Sequence, residues 1–174
     1  MEIIETNIND VLLIKPTIHS DNRGSFFESF NHNDFCRSIK RNLEFVQYNH
    51  SVSTKNVLRG MHFQQDPMSQ GKLVRVVVGE VYDVVLDIRE SSDTYGKWIA
   101  EKLSAENKNQ LWIPEGLAHG FLTLSYEAHL LYKVTNYYSK TNEKLIRYDE
   151  PKFNISWPSS DIIISDKDKG EIDN

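Results

Sequence analysis

Two consecutive runs of β-branched residues in the middle of the chain constrain its fold more than any other feature. Residues 72–78 read Lys-Leu-Val-Arg-Val-Val-Val and residues 81–88 read Val-Tyr-Asp-Val-Val-Leu-Asp-Ile, with a Gly-Glu pair between them. Such residues favour strands and glycine interrupts them, so we predict two successive strands. Because side chains alternate between the faces of a strand, the second run divides into two sets, Tyr82, Val84, Leu86 and Ile88 on one face and Val81, Asp83, Val85 and Asp87 on the other.

Shorter segments of the same character occur along the rest of the chain, separated by turn sequences such as the Pro-Glu-Gly of residues 114–116. The other strand candidates are Val11–Lys15, Phe45–His50, Trp98–Leu103, Gln110–Ile113, Gly120–Leu124 and His129–Asn136. One short helix is indicated, capped by Asn33-Asp34 and carrying Phe35 and Ile39 at helical spacing. Many short strands with little helix predict an all-β protein, a sandwich or barrel with a few short helices.

Composition limits the partners and the compartment that we expect. The chain has 174 residues, and 20 Lys and Arg against 25 Asp and Glu leave a net charge of −5. This length is typical of one domain, which we predict over residues 1–174. An acidic balance without a basic block argues against nucleic acid, and no apolar run approaches the roughly 20 residues of a membrane span. With Cys36 as the single cysteine and no basic residues at its start, the chain is expected in the cytoplasm.

Two of the six histidines lie in unusual surroundings. His62 lies among apolar residues in Leu-Arg-Gly-Met-His-Phe-Gln, residues 58–64, and His119 follows the Pro-Glu-Gly turn. A histidine in an apolar strand is more often a hydrogen-bonded core or barrel-lining residue than a catalyst. Imidazole is, however, also the side chain that most readily exchanges protons near neutral pH. The local pattern leaves both interpretations of His62 open.

Arg23, Arg59 and Lys72 are cations beside glycines in this acidic chain. Glycine lets a backbone approach a ligand closely and arginine binds phosphate with two donors, so a phosphate site is one interpretation and ordinary surface cations are the other. Tyr132 shares its strand face with aliphatic residues, as a core aromatic does, but a phenol that points into a cavity can donate a proton. The segment Ser-Asp-Lys-Asp, residues 165–168, has the pattern of a solvated charge run.

Taken together, short segments spread over nearly the whole chain resemble one family. They are Asp21–Glu28, Gln47–Ser51, Val57–Gln64, Lys72–Val74, Gly79–Val84, Ile113–Phe121, Leu131–Lys133, Glu143 with Ile146, Trp157–Pro158 and Ser165–Asp168. These segments are similar, in register, to those of the dTDP-4-dehydrorhamnose 3,5-epimerases, cofactor-free enzymes of the cupin superfamily. The resemblance implies a cupin-type jelly roll that acts as a homodimer. Gln64 stands where metal-binding cupins carry a second histidine, so we expect no metal.

The resemblance also implies a role for individual residues. His62 corresponds to the family's base and Asp168 to the carboxylate that partners it. Tyr132 corresponds to the acid on the opposite face of the sugar, and Lys72 to the cation that stabilises the enolate. The nucleotide and phosphate contacts that it implies are Arg23, Phe26, Glu28, Gln47, Asn49, Arg59, His119, Glu143 and Lys167.

The implied reaction converts dTDP-4-dehydro-6-deoxy-D-glucose to dTDP-4-dehydro-L-rhamnose by inversion at C3 and C5, a step of dTDP-L-rhamnose biosynthesis. Two positions depart from the family pattern, Tyr48 where Asp is common and Tyr148 where Trp is usual. They leave open a mono-epimerase that inverts C3 or C5 alone. A dTDP-keto-sugar 3,4-ketoisomerase of related fold is a further enzymatic alternative. A non-catalytic nucleotide-sugar-binding cupin is the alternative of another class.

Overall fold

The strands of the chain build two packed antiparallel sheets in the computed structural model, which describes residues 1–170. The strands are β1 (Glu2–Glu5), β2 (Leu12–Lys15), β3 (His19–Asp21), β4 (Gly24–Phe26), β5 (Gln47–Thr54), β6 (Leu58–Gln64), β7 (Lys72–Val78), β8 (Glu80–Asp87), β9 (Trp98–Ser104), β10 (Gln110–Ile113), β11 (Leu117–Thr123), β12 (Glu127–Val134) and β13 (Glu143–Leu145). One sheet has the order β1-β2-β10-β7-β12-β5 and the other β13-β6-β11-β8-β9. The prediction of an all-β sandwich is thereby confirmed.

Apolar side chains from both sheets meet between the layers and form the main core. Val74 of β7 and Leu130 of β12 contribute from one sheet, and Val85 of β8 and Phe121 of β11 from the other. The opposite face of β8 carries Tyr82, Val84, Leu86 and Ile88, which pack in a second cluster under the C-terminal segment that contains Trp157. The two-face division predicted for residues 81–88 is confirmed.

Two short helices accompany the sheets, α1 (His32–Ile39) and α2 (Asp166–Lys169). The predicted cap of α1 was wrong, because Asn31 stays extended and its side chain accepts from the backbone N–H groups of Asn33 and Asp34. Phe35 of α1 packs against Trp112 on the outside of the six-stranded sheet. Within residues 1–170, neither helix has the length and apolar character needed to cross a bilayer.

A separate two-stranded hairpin, β3 with β4, projects from the sheets where no strand was predicted. It is strongly exposed, with Phe26 at 74% of its full accessibility. The strand β5 lies at the edge of the six-stranded sheet and pairs only with β12 in the described part of the chain.

Candidate active site

A cavity of about 430 Å³ opens between the two sheets at the end where polar residues replace the apolar core. Its walls come mainly from β5, β7 and β12 of one sheet and β6 and β11 of the other. The sequence-predicted residues that line it are His62, Lys72, Tyr132, Gln47, Asn49, Arg59, His119 and Glu143. Residues as far apart in the chain as Gln47 and Glu143 therefore meet in one space because the two sheets pack face to face.

Two glycines bring β6 and β11 unusually close beneath this cavity. Gly60 has a positive φ of 123°, and a Cβ built on it would lie 2.5 Å from the Cα of Gly120. A Cβ on Gly120 would in turn lie 2.7 Å from the carbonyl oxygen of Arg59. Only glycine tolerates such contacts, and the pairing of the two strands shifts register at this point. The close approach leaves His62 and His119 directly opposite each other on adjacent strands.

His62 is held by a carboxylate that comes from the far end of the chain. Its Nε2 lies 2.7 Å from Oδ1 of Asp168, whose other oxygen accepts from the backbone N–H of Gly60 at 3.1 Å. A carboxylate only accepts, so Nε2 donates the proton and Nδ1 keeps the lone pair that can take one. Burial would raise the pKa of Asp168, but the hydrogen bond and charge of His62, the backbone N–H of Gly60 and the charge of Lys167 together hold that pKa below its ordinary value. The dyad is thus suited to orient an imidazole base.

The segment that delivers Asp168 is the one whose charge pattern indicated solvation, and that interpretation was wrong. Ser165 caps the one-turn helix α2 by accepting from the backbone N–H of Asp168. The turn points Asp168 inward, so that only 4% of its surface stays exposed. The neighbouring Lys167 points to the cavity rim and forms an ion pair with Glu143. A run of charged residues can therefore contribute to an active site when one of its side chains is buried and hydrogen-bonded to a polar partner.

A second histidine–carboxylate pair stands beside the first. Nε2 of His119 lies 2.9 Å and 3.0 Å from the two oxygens of Asp83. Asp83 is fully buried and His119 is 8% exposed. Sequence reasoning assigned His119 to the nucleotide but missed Asp83, although an acidic residue on the inward face of a core strand was a usable signal.

Tyr132 and Lys72 face these histidines from the opposite sheet. Burial raises the pKa of the Tyr132 phenol, with Arg59 opposing and Glu143 reinforcing the effect, so the phenol keeps its proton. Burial lowers the pKa of Lys72 to about 8, although the charges of Asp83 and Glu143 favour its cation. The Lys72 ammonium donates to the carbonyl oxygen of His62 at 3.1 Å, which fixes its position between the sheets.

The rim of the cavity carries a small polar network. Glu143 accepts from Lys167 and, at 2.9 Å, from the phenol of Tyr138. Burial would raise the pKa of Glu143, but these hydrogen bonds together with the charges of His62 and Lys167 lower it. The backbone N–H of Tyr138 donates to the side chain of Gln47. Sequence reasoning missed Tyr138, which follows another tyrosine in a loop and has no periodic signal. Gln64, noted in the sequence only as a replaced histidine, also lines the cavity and accepts from the backbone of residue 139.

Polar groups of β5 line the opposite side. The amide of Gln47 donates to Asn49 at 2.8 Å, and Arg59 is anchored by donating to the hydroxyl of Ser53 at 2.9 Å. Arg59 also donates to the carbonyl oxygen of Val52 at 3.3 Å, and as a residue of the cavity wall it keeps further N–H donors. A cation and amides so placed are suited to bind an anionic, hydrogen-bonding ligand.

Three predicted contacts do not reach this cavity. Arg23 and Phe26 lie on the β3–β4 hairpin, where Arg23 forms an exposed ion pair with Asp21. Glu28, just beyond the hairpin, is exposed and accepts only a long hydrogen bond, 3.4 Å, from Asn31. Within residues 1–170, no three His, Cys, Asp or Glu side chains are grouped as a metal site requires.

Comparison with known proteins places this geometry in a family. A family model described as dTDP-4-dehydrorhamnose 3,5-epimerase matches residues 5–173. The enzyme of that name from Shigella flexneri is 56% identical over 97% of this chain and 93% of its own length.

Solved structures give the same result. The 3,5-epimerase from Legionella pneumophila, in complex with dTDP-4-keto-L-rhamnose, has a TM-score of 0.93 at 45% identity, covering 97% of this chain and 90% of that one. A 3'-monoepimerase from Streptomyces bikiniensis, in complex with dTDP-quinovose, has a TM-score of 0.90 at 31% identity, covering 95% and 84%. The chain therefore belongs to the dTDP-4-dehydrorhamnose 3,5-epimerase family.

Proposed function

We propose that this protein inverts C3 and C5 of dTDP-4-dehydro-6-deoxy-D-glucose and so forms dTDP-4-dehydro-L-rhamnose, in the biosynthesis of dTDP-L-rhamnose in the cytoplasm. One observation carries the proposal: a single cavity is lined by His62, which Asp168 holds, on one sheet and by the protonated phenol of Tyr132 on the other. Inversion needs a proton to leave one face of a carbon and another to arrive on the opposite face. Two sheets that face each other supply both groups.

The first step is removal of a proton next to the C4 ketone. The electron pair of the broken C–H bond moves onto the carbonyl oxygen and forms an enolate, while the proton passes to His62. Imidazole accepts protons near neutral pH, and Asp168 stabilises the imidazolium that results. Lys72, buried and already in position, donates to the developing oxyanion, which is the largest contribution that such a site can make.

The second step returns a proton from the other side. Tyr132 gives its phenolic proton to the carbon, the ketone re-forms, and the configuration of that carbon is inverted. The resulting phenolate takes a proton from solvent and His62 releases one, so the enzyme is restored without a redox cofactor. The same two groups act on C5 and on C3 when the sugar presents each carbon to them.

Nucleotide binding is proposed at the polar end of the cavity. Arg59 and His119 are placed to contact the diphosphate, and Gln47 and Asn49 the adjacent groups of the ligand. Glu143 and Lys167, which bind each other at the rim, complete this set.

The proposal is tested by NMR of dTDP-4-dehydro-6-deoxyglucose in heavy water with catalytic amounts of the protein. We expect deuterium to enter at both C3 and C5, because the phenol of Tyr132 exchanges with heavy water and therefore delivers deuterium in place of the proton that His62 removes. Deuterium at C3 alone would assign the protein to the mono-epimerases. The Streptomyces bikiniensis enzyme is a mono-epimerase of the same fold. Absence of exchange with dTDP still bound would favour the nucleotide-sugar-binding module.

We also infer that the protein acts as a homodimer, because parts of the implied site lie apart in one chain. Arg23 and Phe26 stand on an exposed hairpin outside the cavity. The cavity is bordered by the edge strand β5, whose outer face exposes Tyr48 and Val52, 66% and 48% accessible. Exposed sheet edges with apolar side chains favour pairing with another chain. A second copy seated there can bring its hairpin to the cavity.

Mixed dimers provide a prediction. We expect the His62→Ala protein and the Arg23→Ala/Phe26→Ala protein to be nearly inactive alone and to recover activity when mixed. Random exchange makes about half of the dimers mixed, and each mixed dimer has one complete site of two, so the rate should reach roughly a quarter of the unsubstituted value. The measurement is turnover after refolding the proteins together. If the mixture of the two variants stays inactive, or if light scattering shows a monomer, the proposal that two chains share each site is contradicted.

Replacing the buried lysine gives a second prediction. Lys72→Met should lower kcat by roughly 10²–10³-fold because the enolate loses its cation. It should also raise the free energy of unfolding at pH 7 by up to about 3 kcal/mol, since an ammonium whose pKa falls from 10.5 to about 8 disfavours the folded state.

The pH dependence of the free energy of unfolding tests whether the Lys72 ammonium destabilises the folded state. Between pH 8 and pH 10.5 the unfolded chain binds more protons at Lys72 than the folded chain, so unsubstituted protein should gain stability as the pH rises through this window. Urea unfolding at pH 7, 9 and 10.5 should show the gain. Lys72→Met should lack the part that Lys72 contributes and keep the part from Lys133, whose pKa burial also lowers to about 8. A lysine variant that is both fully active and less stable would contradict the assigned role.

A further inference from the structure

The hairpin of β3 and β4 has no support from the rest of its own chain between its two ends. Within residues 1–170, residues 19–26 form hydrogen bonds only with one another, and all of them are exposed. A segment with so few contacts does not fix its own direction. The direction in which the hairpin projects is therefore set where the chain rejoins the body of the protein.

Gln110 of β10 holds the chain just after the hairpin. Its amide Nε2 donates to the carbonyl oxygen of Ser29 at 2.7 Å, and Gln110 is only 4% exposed. Gln110 is itself fixed from both sides, because it lies opposite Ile14 of β2 and Arg75 of β7. The hydrogen bond thus ties the end of the hairpin to an interior strand of the six-stranded sheet.

The aromatic residues on either side of Ser29 are held by cations of the same sheet. The guanidinium of Arg75 lies 5.4 Å from the centre of the Phe27 ring, and the ammonium of Lys133 lies 3.4 Å from the centre of the Phe30 ring. A cation over an aromatic face is attracted by the ring at such distances. The chain is therefore seated on the outer face of the sheet directly after the exposed hairpin.

This anchor matters because the hairpin carries Arg23 and Phe26, which the cavity of their own chain lacks. In the proposed homodimer these two residues serve the site of the other chain. Binding groups must be placed accurately, since a misplacement of about 1 Å can cost about 10²-fold in rate. Gln110 does not line the cavity of its own chain, so its influence is directed outward through the hairpin.

We infer that Gln110 is a positioning residue that acts on the site of the other chain. Its hydrogen bond to Ser29 sets the direction of the hairpin and so places Arg23 and Phe26 against the nucleotide that the other chain binds. The inference rests on the proposed function, since it takes the shared site of the homodimer as its basis. Gln110 acts on the ligand only through Ser29 and the hairpin.

Mixed dimers of the His62→Ala chain and the Arg23→Ala/Phe26→Ala chain provide the experiment, because only one of their two sites is complete. That site combines the cavity of the Arg23→Ala/Phe26→Ala chain with the hairpin of the His62→Ala chain. Gln110→Met keeps the length of the side chain and removes the donor. It is introduced into the His62→Ala chain in one sample and into the other chain in a second sample, which is the matched control.

We expect Gln110→Met in the His62→Ala chain to raise the KM for the dTDP-keto sugar roughly 10-fold, because the hairpin of the complete site is then misplaced. In the other chain the same substitution affects only the hairpin of the dead site. Both KM and kcat should then stay within about twofold of the mixed dimer without Gln110→Met.

Phe27→Leu is a second variant that changes no strand of either sheet. It removes the ring that Arg75 faces and keeps an apolar side chain at that position. We expect the same dependence on the chain that carries it, with a smaller rise in KM of about threefold.

An equal loss of activity in both placements of Gln110→Met would show that Gln110 supports the fold of each chain, and it would overturn the inference. An unchanged KM with Gln110→Met in the His62→Ala chain would also overturn it. If the mixed dimer is inactive even without Gln110→Met, the shared site of the proposed function is contradicted, and the inference that rests on it falls as well.

Discussion

The His62→Ala protein is expected to lose epimerase turnover by at least about 10³-fold while it binds dTDP with nearly unchanged affinity. The variant removes the imidazole that takes the proton and leaves Arg59 and His119, the proposed phosphate contacts, in place. It also leaves Asp168 with its second hydrogen bond, from the backbone N–H of Gly60 at 3.1 Å. The helix α2 should therefore remain docked, although a buried carboxylate that loses one partner costs some stability.

Two measurements separate catalysis from binding in this variant. NMR in heavy water should show neither inversion nor exchange at C3 and C5, and calorimetry should show dTDP binding. His32→Ala, which changes an exposed histidine at the start of α1, is the matched control and should retain full activity. If His62→Ala loses dTDP binding but still exchanges substrate protons, His62 is a phosphate ligand and the base lies elsewhere.

Much of the scaffold could be predicted from local pattern. The strands β7 and β10 begin and end where the sequence predicts, because β-branched residues bounded by turn signals leave few alternatives. The helix cap was misplaced by two residues, since both Asn31 and Asn33 can accept at a helix start and only the extended backbone of Asn31 decides between them. The exact ends of an element depend on competition between such neighbouring residues, whereas the presence of a strand does not.

Fewer of the residues of the active site could be predicted from local sequence patterns. Resemblance to a family indicated the partnership of Asp168 with His62, which are 106 residues apart, whereas the local charge pattern indicated solvent. Asp83 was missed although its place on the inward face of a core strand was a usable signal, whereas Tyr138 lies in a loop and leaves no periodic trace. The glycines were more informative, since Gly60 and Gly120 flank the histidines at the one place where two strands approach too closely for a Cβ.

The placement of Tyr132 on the sheet opposite His62 makes a further distinction measurable, that between exchange and inversion. Tyr132→Phe removes one oxygen and keeps the aromatic ring in the cavity wall. His62 can still remove and return a proton on its own face, so we expect deuterium exchange at C3 and C5 to continue within about tenfold of the normal rate. Net inversion should fall by roughly 10²–10⁴-fold, because no acid remains on the opposite face.

The readout is the configuration of the deuterated sugar. With Tyr132→Phe we expect deuterium to accumulate in unchanged substrate, whereas the normal enzyme releases deuterated, inverted product. Tyr82→Phe is the control that should behave normally, since that phenol donates to the carbonyl of residue 156 in the cluster under the C-terminal segment.

Tyr138→Phe tests the rival acid, because Tyr138 also lines the cavity. Its phenolic proton is already donated to Glu143 at 2.9 Å, an acceptor that competes with the substrate carbon. Within residues 1–170 the phenol of Tyr132 donates to no acceptor, so its proton is available to the substrate. Burial raises the pKa of Tyr132, so the phenol also keeps that proton until it is needed. If exchange and inversion separate in Tyr138→Phe and stay coupled in Tyr132→Phe, the acid is Tyr138 and the second face of the sugar is turned toward the rim of the cavity.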